Sequence, residues 1–168
     1  MTAPPSGSTF RKQNSQKPEE TDMKISQVLQ LKGSAHVETA AAQMTVAEVA
    51  GLLAQKKIGA LVVTRPDGSI AGIVSERDVV RHVGTEGPSA LSKPVDAIMT
   101  ARVESCSPSD ETLDVLTRMT SGRFRHMPVI VDGNLGGVLS IGDVVKARIE
   151  ELHAENEAMA TMLSGQAW

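Results

Sequence analysis

Apolar positions recur along the chain in one order, and that order occurs twice. Each copy opens with three apolar residues at the i, i+3, i+4 spacing of a short amphipathic turn: Ile25, Val28 and Leu29, then Val95, Ile98 and Met99. A repeat of this length predicts two copies of one supersecondary unit. Because each copy alone is small for an independent core, we expect the two to share one.

A short strand and a capped helix follow the opening turn in each copy. Strands are predicted near residues 36–39 and 103–105. The segment 45–48 (Thr-Val-Ala-Glu) has the spacing of a capping box, which predicts a helix N-terminus. In the second copy, Ser109 or Asp110 can cap the corresponding helix.

A hairpin and a second helix complete each copy. Residues 60–63 and 70–75 predict two strands joined by the turn 66–68 (Pro-Asp-Gly), in which Pro presets φ and Gly accepts a positive φ. A helix then begins near Glu76, and its counterpart begins near Ile141. The second copy repeats the hairpin at residues 127–131, 132–134 and 135–140. The fold class predicted is mixed α/β (α+β), with strand–helix–strand–strand–helix occurring twice.

The polar stretches predict the domain boundaries. Residues 1–22 are Pro, Ser, Gln and charge with little to bury, which predicts a disordered tail. After Asp143 no Gly or Pro occurs until Gly165, so the last helix is longer than its counterpart. Its apolar stripe fits either the core or a seam with a second chain. The predicted units are 1–22 (tail), 23–83 (repeat 1), 84–93 (linker), 94–150 (repeat 2) and 151–168 (helix extension and tail).

Composition narrows the function classes. The chain has 168 residues, a net charge of −3 and only 2% aromatic residues, so it lacks the basic, aromatic-studded surface of nucleic-acid binders. Its one cysteine, Cys106, excludes an internal disulfide and a multi-thiolate zinc site, and a core position is expected for it. No metal site, membrane span or secretory signal is predicted, and the cytoplasm is the expected location.

One motif in the repeat carries candidate chemistry. Gly72-x-x-Ser75-x-x-Asp78 recurs as Gly137-x-x-Ser140-x-x-Asp143 about 65 residues later. The Ser ends a strand, and the Asp falls in the first helical turn, where unpaired amides favour an anion such as phosphate. An ionised Asp accepts two hydrogen bonds, which matches a ribose diol, and Gly lets a ring approach the backbone. The motif therefore suggests a nucleoside phosphate.

The same motif has a purely structural interpretation. Ser followed by Asp at a strand-to-helix junction is also how ordinary helices are capped. Duplication copies a structural cap as readily as a binding site. Spacing alone leaves both interpretations open.

Together, the segments 58–63, 72–78, 122–129 and 140–146 resemble cystathionine-β-synthase-type (CBS) domains. The similarity covers residues 24–150, and the chain resembles a stand-alone bacterial tandem CBS pair. The resemblance implies two βαββα units related by a pseudo-two-fold axis and forming one module. It also implies two clefts between the units that bind AMP, ADP, ATP, S-adenosylmethionine or NADH, with AMP as the first candidate.

The resemblance also implies which residues bind. Asp78 and Asp143 would hold the ribose hydroxyls, with Ser75 and Ser140 assisting. Segment 37–39 would face the Ser140/Asp143 cleft, and segment 103–105 would face the Ser75/Asp78 cleft. Candidate phosphate cations are Arg77, Arg81, Arg123, Arg125, His126 and Lys146. The implied nucleotide-binding set is Val37, Thr39, Ala60, Ser75, Arg77, Asp78, Val103, Ser105, Arg125, His126, Ser140 and Asp143.

The function expected from the resemblance is a non-catalytic regulatory module that senses adenine nucleotides without a required cofactor. The chain is expected to form a homodimer and to act on a regulated protein that the sequence does not identify. The alternative is a structural dimerisation module with vestigial pockets. An enzyme is not expected, because the chain shows no phosphate-cradling Gly loop with Lys, no nucleophile elbow and no paired acid and base.

Overall fold

A computed structural model describes residues 23–33 and 37–165 of the chain. The predicted tail, residues 1–22, and His36 of the first predicted strand lie outside the described residues. The predicted α/β class is confirmed. The elements in chain order are α1 (Ile25–Lys32), β1 (Thr39–Ala41), α2 (Val46–Lys56), β2 (Ala60–Thr64), β3 (Ile70–Ser75), α3 (Glu76–Glu86), α4 (Thr112–Gly122), β4 (His126–Val131), β5 (Asn134–Ser140) and α5 (Ile141–Ser164).

The two hairpins are matching structures in the two halves. β2 pairs antiparallel with β3 from Ala60↔Ser75, and β4 pairs antiparallel with β5 from His126↔Ser140. Both ladders shift register at equivalent places, after Val63 and after Val129. Gly68 and Gly133 take the positive φ values that their turns require. Ala60 and His126 therefore occupy equivalent positions, as do Ser75 and Ser140.

The third strand is where the halves differ. β1 runs parallel to β2 and begins at Thr39, later along the chain than the predicted strand. The predicted strand at 103–105 does not form, and pairing there is reduced to one parallel bridge between Cys106 and Val129. The chain leaves the sheet directly afterwards, because the Ser107 amide and hydroxyl both donate to Asp110 and close a turn.

The opening segment of each repeat, residues 25–29 in the first and 95–99 in the second, packs on the other half. The backbone amides of Ile25 and Ser26 donate to the carbonyls of Asp110 and Pro108, which precede α4. In the pseudo-symmetric arrangement, the amides of Val95 and Asp96 donate to Met44 and Ala42, which precede α2. Each half therefore accepts backbone hydrogen bonds from the opening segment of the other repeat.

The two hydrophobic cores show the same exchange. α1 contributes Ile25 and Val28 to the core of the second half, beside Val115, Met127 and Leu139. The core of the first half takes in Val95 and Ile98 from the opening of the second repeat, packed with α2, β2 and β3. Neither sequence repeat closes its own core, so we expect the two halves to unfold together.

The motif glycines accommodate this exchange. A Cβ atom at Gly72 would come within 2.6 Å of Met99 Sδ and 2.7 Å of the Thr100 carbonyl oxygen, and one at Gly137 would come within 2.8 Å of Leu29 Cδ2. The idea that these glycines make room for a ligand ring needs correction. The side chains of the exchanged segments already fill that space.

The connection between the halves is more ordered than a loop. Within the stretch 84–93, predicted as a linker, α3 continues to Glu86 and a 3₁₀ helix spans Gly87–Ser92, with Ala90 fully buried. A second short 3₁₀ helix, Val95–Ala97, takes the place that α1 has in the first repeat. Among the described residues, no helix combines the length and the apolar character that a membrane crossing needs.

Gly72→Ala should lower the free energy of unfolding by about 1–3 kcal/mol, because the new methyl group must displace backbone at Thr100. Gly137→Ala should cost less, because the Leu29 side chain can turn away. Urea unfolding measures both changes. The matched control is Gly51→Ala in the exposed interior of α2, where nothing lies within 4 Å; it should be neutral or stabilise by up to about 1 kcal/mol. Equal effects at positions 51 and 72 would contradict this packing.

Candidate ligand clefts

Two clefts lie between the halves, one beside each motif aspartate. The Asp143 cleft has a volume of about 500 Å³, and its lining includes Lys32, Glu38 and Lys57. The Asp78 cleft has a volume of about 400 Å³, and its lining includes residues of β3, α3 and the segments before and after α4. Both volumes lie in the range of small-molecule sites.

Asp78 is fully engaged at the start of α3. Its Oδ2 atom accepts from the Ser75 amide at 2.9 Å and from the Ser75 hydroxyl at 2.7 Å. Its Oδ1 atom accepts from Arg81 at 2.8 Å, one helical turn on. The residue is 9% exposed, yet it lines the cleft. A ligand hydroxyl at Oδ1 would share that oxygen with Arg81 or replace it.

Asp143 is held differently at the start of α5. Its Oδ2 atom accepts from the Ser140 amide and from Lys32 Nζ, both at 2.8 Å, while its own amide donates to Ser140 Oγ at 3.1 Å. Within residues 23–33 and 37–165, no backbone amide and no cationic side chain donates to its Oδ1 atom, and the Ser140 hydroxyl lies within hydrogen-bonding reach of the carboxylate. This cleft therefore offers a carboxylate oxygen that neither a backbone amide nor a cation holds.

Lys32 helps to lower the pKa of the Asp143 carboxyl. Burial alone would raise the pKa of the Asp143 carboxyl, but the hydrogen bond from Lys32 and those from the Ser140 amide and hydroxyl outweigh it. The pKa therefore lies below its ordinary value, and the carboxylate is charged at neutral pH. An ionised carboxylate accepts hydroxyl protons and donates none.

The capping and ligand interpretations of the motif are compatible. In each half, one carboxylate oxygen binds the backbone amide of its own serine, which is a cap. The same carboxylate lies on the wall of a cleft. The cap fixes the side chain in place, so a ligand would meet an acceptor that is already oriented.

Most of the predicted site residues line a cleft, and two do not. Ala60 and His126 line both clefts. The Asp143 cleft adds Val37, Ser140 and Asp143, and the Asp78 cleft adds Ser75, Arg77, Asp78, Val103 and Arg125. Thr39 and Ser105 are absent from both walls. Thr39 is taken up in β1, opposite Val62, and the Ser105 carbonyl accepts from Arg118.

The candidate phosphate-binding cations do not all lie in the same cleft. Arg81 and Arg123 line the Asp78 cleft. Lys146 lies outside both large clefts and lines a smaller pocket beside Asp143, with the Glu150 carboxylate at 3.9 Å. Lys57 and Arg123 end α2 and α4 in the left-handed region, at φ 54° and 56°, where glycine is the usual residue.

Sequence reasoning missed four lining cations: Lys32, Lys56, Lys57 and Arg102. One signal for Lys32 was present, because the first repeat is about four residues longer than the second between its opening turn and its main helix. The extra length lets α1 run to Lys32, which binds Asp143 in the other half. No pattern along the chain indicated that contact.

His126 lies between the two clefts. A Cβ atom at Gly59 would come within 2.9 Å of His126 Nε2, so the ring packs directly against the backbone of the first half. Burial, with Arg125 and Lys32 nearby, lowers the pKa of His126, and Asp143 and Glu76 oppose that shift only in part. The imidazole is therefore neutral at neutral pH.

Neither a metal site nor a reactive thiol is found in the part of the chain that the structure describes. No group of three His, Cys, Asp or Glu side chains is placed to hold a metal there. Cys106 is buried, as expected, and burial raises the pKa of its thiol to about 12. The thiol is protonated and is a weak nucleophile.

The family model of the CBS domain matches this sequence at residues 25–85 and again at residues 95–150. The mitochondrial CBS domain-containing protein CBSX3 of Arabidopsis thaliana is 36% identical over 125 residues, which are 72% of this chain. The match spans 61% of that relative's own length.

Solved structures show the same fold. The CBS-domain containing protein ATU1752 from Agrobacterium tumefaciens has a TM-score of 0.72 and 42% identity, and the match covers 74% of this chain and 98% of that chain. The CBS domain pair of protein MJ0100 has a TM-score of 0.66 and 20% identity over 74% of this chain and 94% of its own. That crystal holds 5′-methylthioadenosine and S-adenosyl-L-methionine.

The lowered pKa of His126 predicts a pH effect on stability. Between the unfolded pKa and the lower folded pKa, the unfolded chain binds more protons, so the free energy of unfolding should fall as pH drops from about 7.5 to about 5.5. His126→Gln should reduce that fall, measured by urea unfolding at both pH values. His153→Gln, at an exposed position on α5, is the matched control and should leave the fall unchanged. If both variants behave like the wild type, the placement of His126 is contradicted.

Proposed function

The chain belongs to the CBS domain family and carries two CBS domains, and we propose that it is a non-catalytic regulatory module that binds adenine nucleotides in the Asp78 and Asp143 clefts. AMP is the first ligand to test, and ADP, ATP, NADH and S-adenosylmethionine are alternatives. A cytoplasmic location belongs to the same proposal, and the single buried thiol of Cys106 supports it.

One observation carries the proposal. A capped, oriented aspartate lies twice at a helix N-terminus on the wall of a cleft of about 400–500 Å³. A carboxylate with a free oxygen accepts hydrogen bonds from vicinal ribose hydroxyls, and a helix N-terminus favours a nearby anion. At Asp143 the Oδ1 atom is the available acceptor, and the Ser140 hydroxyl beside it can rotate to donate to a ligand.

The MJ0100 pair supports the ligand class. Both molecules in its crystal contain adenosine, and its fold is shared with this chain. At 20% identity the comparison carries the fold and not individual contacts. The ligand class for this chain therefore depends on the chemistry of its own two clefts.

The exchanged segments supply a route from binding to regulation. The Asp143 cleft is lined by α1 and the first half's β2 together with β5 and α5 of the second half. A ligand there contacts both halves, so it stabilises whichever relative arrangement fits it better, and a partner protein that distinguishes the arrangements would respond.

The double variant Asp78→Asn, Asp143→Asn tests the assignment. Asn keeps one carbonyl oxygen for the helix cap but replaces the second acceptor with an amide donor, which cannot accept a ribose hydroxyl. AMP at about 100 times its dissociation constant should stabilise the wild type by about 2.7 kcal/mol and raise its melting temperature, and the double variant should lose this rise.

The matched control for that experiment is Asp110→Asn. Ser107 and Asp110 have the same Ser-x-x-Asp hydrogen bonds, but Asp110 lies outside both clefts. The control should keep the full AMP response. A double variant that still responds like the wild type would refute the assignment of the two aspartates.

The second candidate function, a dimerisation module, is favoured by the distal half of α5. Beyond Glu151, no residue of α5 is buried within the described chain. A helical segment as short as residues 152–164 is only marginally stable in water when nothing packs against it. Along the whole of α5, exposed side chains spaced alternately four and three residues apart form a heptad seam: Val145, Ile149, Leu152, Asn156, Met159 and Leu163. A polar Asn at one seam position is a known means of fixing register between two helices. These features support a homodimer through α5.

Met159→Lys tests the dimer. Met159 is 58% exposed and lies far from the core, so the substitution should leave the fold intact while placing two charges in the seam. Sedimentation equilibrium should show a dimer for the wild type and at least tenfold weaker association for the variant, an order-of-magnitude figure for burying unpaired charge. Val80→Lys, at an exposed apolar position on α3, is the control and should stay dimeric. A wild-type monomer, or dissociation only by Val80→Lys, would contradict the α5 seam.

A further inference from the structure

We propose that the two clefts divide their ligands by phosphate charge: the Asp78 cleft takes an adenine nucleotide with two or more phosphates, and the Asp143 cleft takes a nucleoside or a nucleoside monophosphate. This inference rests on the proposed function and adds to it a ligand class for each cleft.

The Asp78 cleft is lined by five guanidinium groups: Arg77, Arg81, Arg102, Arg123 and Arg125. Its lining carboxylates are Asp78 and Glu104. Arg side chains present planar arrays of donors that match phosphate oxygens two at a time. A cleft with this excess of positive charge raises the local concentration of anions.

The charges in the Asp78 cleft are poorly compensated. Asp78 pairs with Arg81, and Glu104 is already held by Arg118 outside the cleft. Within the described chain, no ion pair or hydrogen bond engages the side chains of four of the arginines, and all four are exposed: Arg77, Arg102, Arg123 and Arg125. Multiply charged phosphate would supply the missing counter-charge.

The Asp143 cleft is nearly neutral by comparison. Its cations are three lysines, and two of them are already paired, Lys32 with Asp143 at 2.8 Å and Lys56 with Glu38 at 2.7 Å. Lys57 is the remaining lining cation among the described residues. One unpaired lysine and the Ser140 hydroxyl suit an uncharged nucleoside or a single phosphate.

The pseudo-symmetry of the hairpins gives an internal comparison. Arg125 precedes β4 where Gly59 precedes β2, and the Arg77 position after Ser75 corresponds to Gly142 after Ser140. A side chain at position 59 would clash with His126, since a Cβ atom there would lie 2.9 Å from Nε2. The Asp143 cleft therefore has only a glycine, with the His126 ring against it, at the place that Arg125 occupies in the other cleft.

Arg81 completes the argument. Both oxygens of Asp78 are occupied, so a ribose that takes Oδ1 must share or displace the Arg81 guanidinium. The freed guanidinium would stay in the cleft wall and gain a phosphate as its new partner. A nucleoside without phosphate offers no such replacement, so this cleft should bind it poorly.

Isothermal titration calorimetry on single-cleft variants tests the division. Asp143→Asn leaves the Asp78 cleft as the main site, and it should bind ATP at least tenfold more tightly than AMP. Asp78→Asn leaves the Asp143 cleft, and it should bind AMP and adenosine at least as well as ATP. The reverse order in either variant, or equal affinities for AMP and ATP in both, would overturn the division while leaving the proposed function standing.

The arginines are tested in the wild-type background, which does not depend on the aspartate variants. Arg123→Gln with Arg125→Gln should weaken ATP binding about tenfold and leave adenosine binding unchanged. Lys146→Gln, a charge loss outside both large clefts, is the control and should change neither. An equal loss for ATP and adenosine would overturn the inference. Absence of heat from adenosine, AMP and ATP alike in the wild type would overturn the proposed function with it.

Discussion

Each half of this molecule completes its core with a segment that belongs to the other half. Ile25 and Val28 are buried among side chains of the second repeat, while Val95 and Ile98 are buried in the first. Matching pairs of backbone hydrogen bonds fix the two exchanged segments before α2 and before α4. The two repeats therefore form one module, and the clefts lie where the exchanged segments pass beside the hairpins.

The same exchange shapes the chemistry of the clefts. α1 packs on the second half and ends at Lys32, which binds Asp143. The corresponding segment of the second repeat is a single 3₁₀ turn and delivers no such cation, so Asp78 is held by Arg81 of its own helix instead. A difference of about four residues between the repeats thus changes which groups hold the two motif aspartates.

Helix capping and ligand binding use the same side chains here. Asp78 and Asp143 are the third helical residues of capping boxes whose N-caps are Ser75 and Ser140, so the two aspartates contribute to stability whether or not a ligand is present. The cap also holds each carboxylate in one orientation, which reduces the entropy that a ligand must overcome. The sequence alone left capping and binding as rival interpretations, and the geometry makes them compatible.

Local patterns predicted the hairpins, the main helices and the paired motif, because turn residues, capping boxes and apolar spacing act over a few positions. Contacts between distant segments were not predictable in this way. The motif glycines contact Met99 and Leu29, far away in sequence, and the short pairing at Cys106 depends on a turn closed by Asp110. The contact of Lys32 with Asp143 has the same origin, since it joins the two halves.

The most direct measurement of the central claim is a crystal structure of this protein grown with AMP. The account predicts AMP between the two halves, with its ribose hydroxyls within hydrogen-bond distance of the carboxylate of Asp143 or Asp78. Density for AMP away from both carboxylates, or clefts that stay empty at saturating AMP, would contradict it.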